Sequence, residues 1–301
     1  MRILLAVDGS VSSDRATQLV TSLPLPADSV VRVVSVQPPF TDILDVSWAS
    51  TGTSDRVRVE TEQAVDARHR HEAISRAEIE LARGDLRVEG FLLRGRPARA
   101  IVDEAASMGA DLVVLGSRGH GVIATMVLGS TASDVVDHAP CPVLVVRSAS
   151  LGSVAFADDG STSARAAESL LAAWSIFAGR HVDVLTVAET AVPVAVGFVS
   201  GLHDQVASSY GQSVGEARRE VVEEALATAL RLRGAGVDAD PVALEGDPAD
   251  EIVRFAAERG SGTLVVGTRG HTGLTRLVLG SVARNVLLHA PCSVLVARPA
   301  P

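Results

Sequence analysis

Aromatic side chains are scarce in this chain: six Phe, two Trp and one Tyr make up 3% of its residues. A core without them is filled by Val, Leu, Ala and Ile, which favours β-branched strands under Ala/Leu helices. Cysteine is almost absent. Cys141 and Cys292 sit in HAPCPVLVV and HAPCSVLVA, where a small buried residue leads into a strand, and neither a disulfide framework nor a metal-ligand cluster is expected. No apolar run reaches the ~18 residues that cross a bilayer. The opening MRILLAVDGS lacks the longer apolar region and small-residue cleavage site of a signal peptide, so a cytoplasmic protein without a membrane partner is expected. Basic residues are outnumbered, 27 Lys+Arg against 36 Asp+Glu for a net charge of −9, which argues against nucleic acid as a partner. The P-loop pattern G-x4-G-K-[ST] is missing too.

What the chain does contain is a repeat. Gly116, Gly119, Gly129 and Ser130 follow the apolar run Asp111–Leu115, and Gly267, Gly270, Gly280 and Ser281 follow Leu264–Val266, every pair 151 residues apart. The same offset relates Asp8-Gly9-Ser10 to Asp159-Gly160-Ser161, Val36 to Val187, Pro97 to Pro248, and the two His-Ala-Pro-Cys segments. Two copies of one domain are expected, 1–148 and 153–301, joined by Ser148–Ser153.

The G-x2-G-x9-G-S spacing suits an anion. Glycines after a buried strand let the backbone approach a ligand without a Cβ in the way. A Gly-Ser opening a helix offers N–H groups, a hydroxyl and the positive end of the helix dipole. Around these loops, each copy alternates strands and helices. In the first, strands are expected at Ile3–Val7, Val30–Val36, Leu86–Leu93, Asp111–Leu115 and Val143–Val146, and helices at 12–22, 59–82, 98–108 and 130–138. In the second, strands fall at Val154–Asp158, Val182–Val187, Val237–Leu244, Leu264–Val266 and Val294–Ala297, and helices at 163–177, 216–233, 250–259 and 281–288. In the long helix of the second copy, Val221, Val222, Ala225, Leu226, Ala229 and Leu230 are expected to face inward; Ala191–Ser213 reads as irregular. The fold class is therefore α/β: two tandem, open, five-stranded parallel sheets of order 3-2-1-4-5 with helices on both faces. In such sheets the ligand crevice lies at the carboxyl ends of the strands where the order reverses, between the first and fourth strands. The Asp-Gly-Ser turns and the glycine loops meet there.

Several residues keep two readings. Asp8 and Asp159 either accept from ribose hydroxyls or a nucleobase, or cap the helix that follows. Ser130 and Ser281 contact phosphate or act as N-caps. Arg118 and Arg269 pair with phosphate or stand as solvated loop charges. His120 and His271 read as exposed loop residues rather than catalytic ones, and His138 and His289 as C-terminal helix caps. Asp158 replaces Val7 in the second copy, and a carboxylate there is costly unless paired. It either disturbs the second site or faces outward.

The segment ILLAVDGS, the G-x2-G-x9-G-S loop and the terminal HAPCPVLVV, all present twice, resemble the universal stress protein family, in its ATP-binding branch. The resemblance implies an adenine-nucleotide alpha-hydrolase-like fold with ATP in the crevice. With no evident general base, a regulator of stress or dormancy with slow or no hydrolysis and no catalytic residue is expected; the alternatives are an ATPase or nucleotidyl-transfer enzyme of similar fold, or an interaction scaffold with vestigial crevices. By position it places the adenine end at Ala6, Asp8, Val36 and Leu115. The phosphates fall at Gly116, Gly119, Gly129, Ser130 and Thr131, and Ser117, Arg118 and His120 complete the nucleotide-binding loop. The second site would use Ala157, Asp159, Val187, Val266, Gly267, Thr268, Arg269, Gly270, His271, Gly280, Ser281 and Val282. Family members often have Pro or Gly at the positions of Ala6 and Ala157, and Val at that of Thr131. Mg2+ would be held mainly by the phosphates, with no protein metal site. Similar proteins pair through the edge of the last strand, which here would join the two halves or two chains as a homodimer.

Overall fold

A computed structural model describes residues 1–39, 53–83, 86–119, 128–189, 203–268 and 279–299. Two compact units emerge, Met1–Leu151 and Gly152–Pro299.

In the first unit, β1 (Arg2–Ala6), β2 (Val30–Gln37), β3 (Arg87–Arg94), β4 (Leu112–Gly116) and β5 (Val143–Val146) alternate with α1 (Val11–Ser22), α2 (Thr53–Leu81), α3 (Pro97–Met108) and α4 (Ser130–His138). The strand order is β3-β2-β1-β4-β5, and each neighbouring pair is parallel. Ile3, Leu4 and Leu5 are fully buried, as are Leu112, Val113 and Val114. Such unbroken apolar runs are what a strand covered on both faces requires. Helix α1 packs beside α2, and α3 beside α4. Ala73, Ile74, Ala77 and Leu81 form the buried stripe of α2, and Ala64 is exposed.

The second unit repeats the plan with β6 (Val154–Ala157), β7 (His181–Ala188), β8 (Asp238–Glu245), β9 (Thr263–Gly267) and β10 (Ser293–Ala297), and with α5 (Thr162–Ala173), α6 (His203–Gly234), α7 (Pro248–Arg259) and α8 (Ser281–His289). Its order is β8-β7-β6-β9-β10, again parallel throughout. Both orders are the expected 3-2-1-4-5. Three local expectations change. The helix expected over 163–177 stops at Ala173: Trp174 is extended, and Ser175–Phe177 forms a short 3-10 turn that buries Ile176 and Phe177. Helix α6 begins at His203, inside the stretch read as irregular, because adding a residue to a formed helix costs far less than starting one. Its buried face is Ala225, Thr228, Ala229 and Leu232, while Val222, Leu226 and Leu230 are 45%, 42% and 54% exposed. Ala225 and Ala229 thus face inward as expected, and Thr228 and Leu232 join them where Val222, Leu226 and Leu230 were expected.

Cys141 and Cys292 are buried free thiols leading into β5 and β10. Among the described residues, no helix is long and apolar enough to cross a membrane.

Candidate functional site

At the carboxyl ends of β1, β2 and β4 the first unit has a cavity of about 250 Å³. Ala6, Asp8, Val36 and Leu115 line it, together with Gly116, Ser117, Arg118 and Gly119 and the helix start Gly129, Ser130 and Thr131. Of the residues placed there by motif in this unit, His120 alone lies outside the described residues.

Two loops build the walls. After β1 the chain turns through Gly9, whose φ of +83° is left-handed and suits glycine. The Asp8 carboxylate accepts from Ser10 N at 3.0 Å. Ser10, not Asp8, is the N-cap of α1, its hydroxyl accepting from Ser13 N at 3.2 Å. The same hydroxyl donates to the carbonyl of Arg118 at 3.2 Å, which ties the first loop to the glycine loop. The capping reading of Asp8 therefore falls. So does that of Asp159, which accepts from Ser161 N at 3.0 Å while Ser161 caps α5. A serine two residues after the aspartate takes the cap because the intervening glycine has already turned the chain.

The glycines divide into two roles. A Cβ on Gly116 would lie 2.6 Å from the backbone carbon of Ser12, and one on Gly267 would lie 2.5 Å from Ser163 Oγ and 2.9 Å from its backbone. These two let the first helix of each unit pass close to the fourth strand, and so serve packing. A Cβ on Gly119 would stand 2.7 Å from Asp8 Oδ2, so the loop runs directly beside that carboxylate. Gly129 N donates to the carbonyl of buried Ser117 at 2.8 Å, and Gly280 N to that of buried Thr268 at 2.8 Å. These bonds fold each loop back onto the start of the next helix.

At that start Gly129 and Gly280 are the N-caps, and neither offers a side-chain hydrogen bond. Ser130 and Ser281 are the first helical residues and are exposed, which removes the N-cap reading for them. By contrast, α1, α5 and α7 are capped by Ser10, Ser161 and Asp247. The first N–H groups of a helix have no partner inside it, and at α4 no side chain replaces the missing one. They open onto the cavity beside Asp8, the arrangement that accepts an oxyanion. His138 Nδ1 lies 2.8 Å from the carbonyl of Asp134, in keeping with a C-terminal cap, and His289 falls in the last turn of α8.

In the second unit, Ala157 and Val187 are half-buried, Val266 is buried, and Asp159 is exposed. Gly267, Thr268, Gly280, Ser281 and Val282 repeat the positions of the first loop; Arg269, Gly270 and His271 lie outside the described residues. Asp158 just follows β6 and is 4% exposed. It neither faces outward nor lacks partners: Thr228 on α6 donates its hydroxyl to Oδ2 at 2.6 Å, and Gly160 N donates to Oδ1 at 2.9 Å. In the first unit the equivalent Gly9 N donates to Ser13 Oγ at 3.1 Å. Ser13 corresponds to Ala164, so Asp158 supplies the acceptor that Ala164 cannot.

Beside Thr228 lies a set of ion pairs. Glu168 accepts from Arg165 Nη1 at 3.0 Å and Arg231 Nε at 2.6 Å, and burial nonetheless pushes its carboxyl above the usual range. Among the described residues, no group of three or more His, Cys, Asp and Glu is placed to hold a metal ion.

Sequence reasoning missed some of the cavity wall. Pro97 and Ile101 on α3 line it, and their repetition as Pro248 and Ile252 was a usable signal. Arg70 on α2 lines it as well, with no such signal, because its counterpart at the 151-residue offset is Val221.

The sequence model of the universal stress protein family matches residues 1–147 and, a second time, residues 152–298. The chain belongs to the universal stress protein family. A universal stress protein of Thermus aquaticus is 36% identical over 145 residues, 48% of this chain and 97% of that protein. One of Mycolicibacterium smegmatis is 28% identical over 308 residues, 99% of this chain and 97% of its own. The crystal structure of a universal stress protein from Archaeoglobus fulgidus matches with a TM-score of 0.64 at 18% identity, covering 99% of this chain and 98% of the other. At that identity the likeness speaks to the fold. The Mycolicibacterium relative and the Archaeoglobus structure align along almost the whole of this universal stress protein, both units included.

Proposed function

We propose that this universal stress protein is a cytoplasmic, ATP-binding regulator of stress response or dormancy, with one adenine-nucleotide site per unit and slow or no hydrolysis. The observation that carries the reading is the start of α4: a helix whose N-cap has no side-chain bond, opening onto a cavity beside the Asp8 carboxylate. The N–H groups there and the Ser130 hydroxyl would hold phosphate. Asp8 would accept from the ribose hydroxyls, and Ala6, Val36 and Leu115 would enclose the base. Asp159, Ala157, Val187 and the start of α8 would serve the second site in the same way. Mg2+ would be held mainly by the phosphates of the nucleotide.

The test separates binding from folding. Gly129→Asp and Gly280→Asp supply the side-chain cap these helices lack. An Asp cap engages the same N–H groups and repels phosphate, yet it is at least as good a cap as glycine. The double variant is expected to keep its thermal stability without ligand and to lose ATP binding in equilibrium dialysis. Retained ATP affinity in the double variant refutes the site assignment.

A further inference from the structure

The cation of the first crevice that no glycine-loop motif announces is Arg70. Its side chain is only 18% exposed, and its Nε donates to Asp66 Oδ2 at 2.8 Å, one helical turn earlier. Among the described residues, Nε is the guanidinium nitrogen that finds a partner; Nη1 and Nη2 find none. Arg70 lines the cavity, so an anion bound there can take up the two uncommitted donors. Arg70 stands on α2, which packs on β2 and β3, whereas the glycine loop follows β4 on the other side of β1. Arg70 and the loop therefore line the cavity from opposite sides of β1. The second unit has Val221 at this position, half-buried and without charge.

We infer that Arg70 is an anion-reading residue that adds to the first crevice's preference for phosphorylated nucleotide over nucleoside, and that the second crevice lacks this addition. The inference rests on the reading of the crevice as a nucleotide site. Asp66 is a positioning residue: it holds Nε and leaves both Nη donors of a side chain that lines the cavity for an oxyanion, which Arg binds in pairs. A lysine would keep the charge and lose the fork.

The full-length chain with Gly280→Asp reports the first site, and with Gly129→Asp the second. Adenosine, AMP and ATP are titrated into each. The gain in affinity from adenosine to ATP is expected to be about tenfold larger at the first site, the worth of one charged hydrogen-bonding contact. Adding Arg70→Val to the Gly280→Asp chain should remove that excess while adenosine affinity stays the same, and Arg70→Lys should fall between. Valine occupies the equivalent position of the second unit, so this variant is expected to fold. Equal loss for adenosine and ATP, or unchanged ATP affinity, would overturn the assignment and leave the nucleotide site standing. Failure of the wild-type chain to bind ATP overturns the nucleotide reading and this inference with it, and it shows before any Arg70 variant is made.

Discussion

Positions 32 and 183 occupy the same place in the two units and carry opposite charges. In the first unit Arg32 on β2 reaches Glu104 at 2.7 Å and Glu89 at 3.0 Å, with its guanidinium 4.9 Å from the centre of the Phe91 ring. In the second, Asp183 on β7 is 2% exposed and meets His181 Nε2 at 3.3 Å and Arg259 Nε at 3.7 Å. Near the crevices the contrast recurs. Val7, Ser13 and Ala77 of the first unit correspond to Asp158, Ala164 and Thr228 of the second. In each unit the backbone N–H after the aspartate finds an acceptor, Ser13 in one and Asp158 in the other. The same fold thus accepts a polar or an apolar residue at these points, provided its neighbours change with it. The helix starts at Gly129 and Gly280 keep the same geometry and the same lack of a side-chain cap.

The largest effects are expected from swapping one member of a matched set alone. Val7→Asp places a carboxylate over Ala77, where no hydroxyl meets it, and should cost about 3 kcal/mol or more in chemical denaturation. Adding Ala77→Thr should recover part of that loss, since Thr228 is what satisfies Asp158. The reverse change, Thr228→Val, should cost about 2 kcal/mol by leaving Asp158 Oδ2 without its donor. If Val7→Asp is neutral, or if Ala77→Thr gives no rescue, the two units do not differ for the reason given.

Next in size is the division among glycines. Gly116→Ala drives a Cβ against the backbone of Ser12 and should cost about 2 kcal/mol. Gly129→Ala meets only ordinary contacts, the nearest at 3.5 Å, and should cost less than about 1 kcal/mol. Equal costs would erase the distinction between a packing glycine and a cradle glycine.

The smallest effects are those of pH, and they have opposite signs in the two units. The hydrogen bond to Asp238, and then that to Asp183, raise the pKa of His181 above its usual 6.5 despite some burial. Its stabilisation is therefore complete below about pH 6.5 and fades as pH rises through the raised value. In the first unit the hydrogen bond from Arg32 holds the Glu89 carboxyl below its usual 4.5. That contribution is complete above about pH 4.5 and fades as pH falls. His181→Gln should flatten the alkaline side of the stability profile and Glu89→Gln the acid side; the reverse pairing would contradict the ion-pair assignments.

Much of this was legible in the sequence because of the repeat. Apolar runs such as Leu112–Leu115 are strands buried on both faces, and the 151-residue offset matched helices, strands and loops across the units. Strand order and motif bring the Asp8 turn and the glycine loop to one cavity, and the family resemblance adds Ala6, Val36 and Leu115, which line it too. What was hidden depends on pairing across the fold. Asp158 reads as a defect until Thr228, seventy residues on, is seen to face it. Leu226 and Leu230 look like core residues until the buried face is seen to run through Ala225, Thr228, Ala229 and Leu232. Ser10 and Ser161 take the caps that were one of two readings for the aspartates, because side-chain direction after a left-handed glycine is not written in residue type. Arg70 is invisible to a search for repeats, since its partner position is a valine.

The central claim is that the crevices are nucleotide sites, and the most direct measurement is to denature freshly purified protein, identify the released nucleotide by chromatography, and follow with an ATP titration of the stripped chain. The account predicts ATP, with binding that saturates at two per chain and is lost in the Gly129→Asp/Gly280→Asp variant. No released nucleotide together with no ATP binding at millimolar concentration would contradict it.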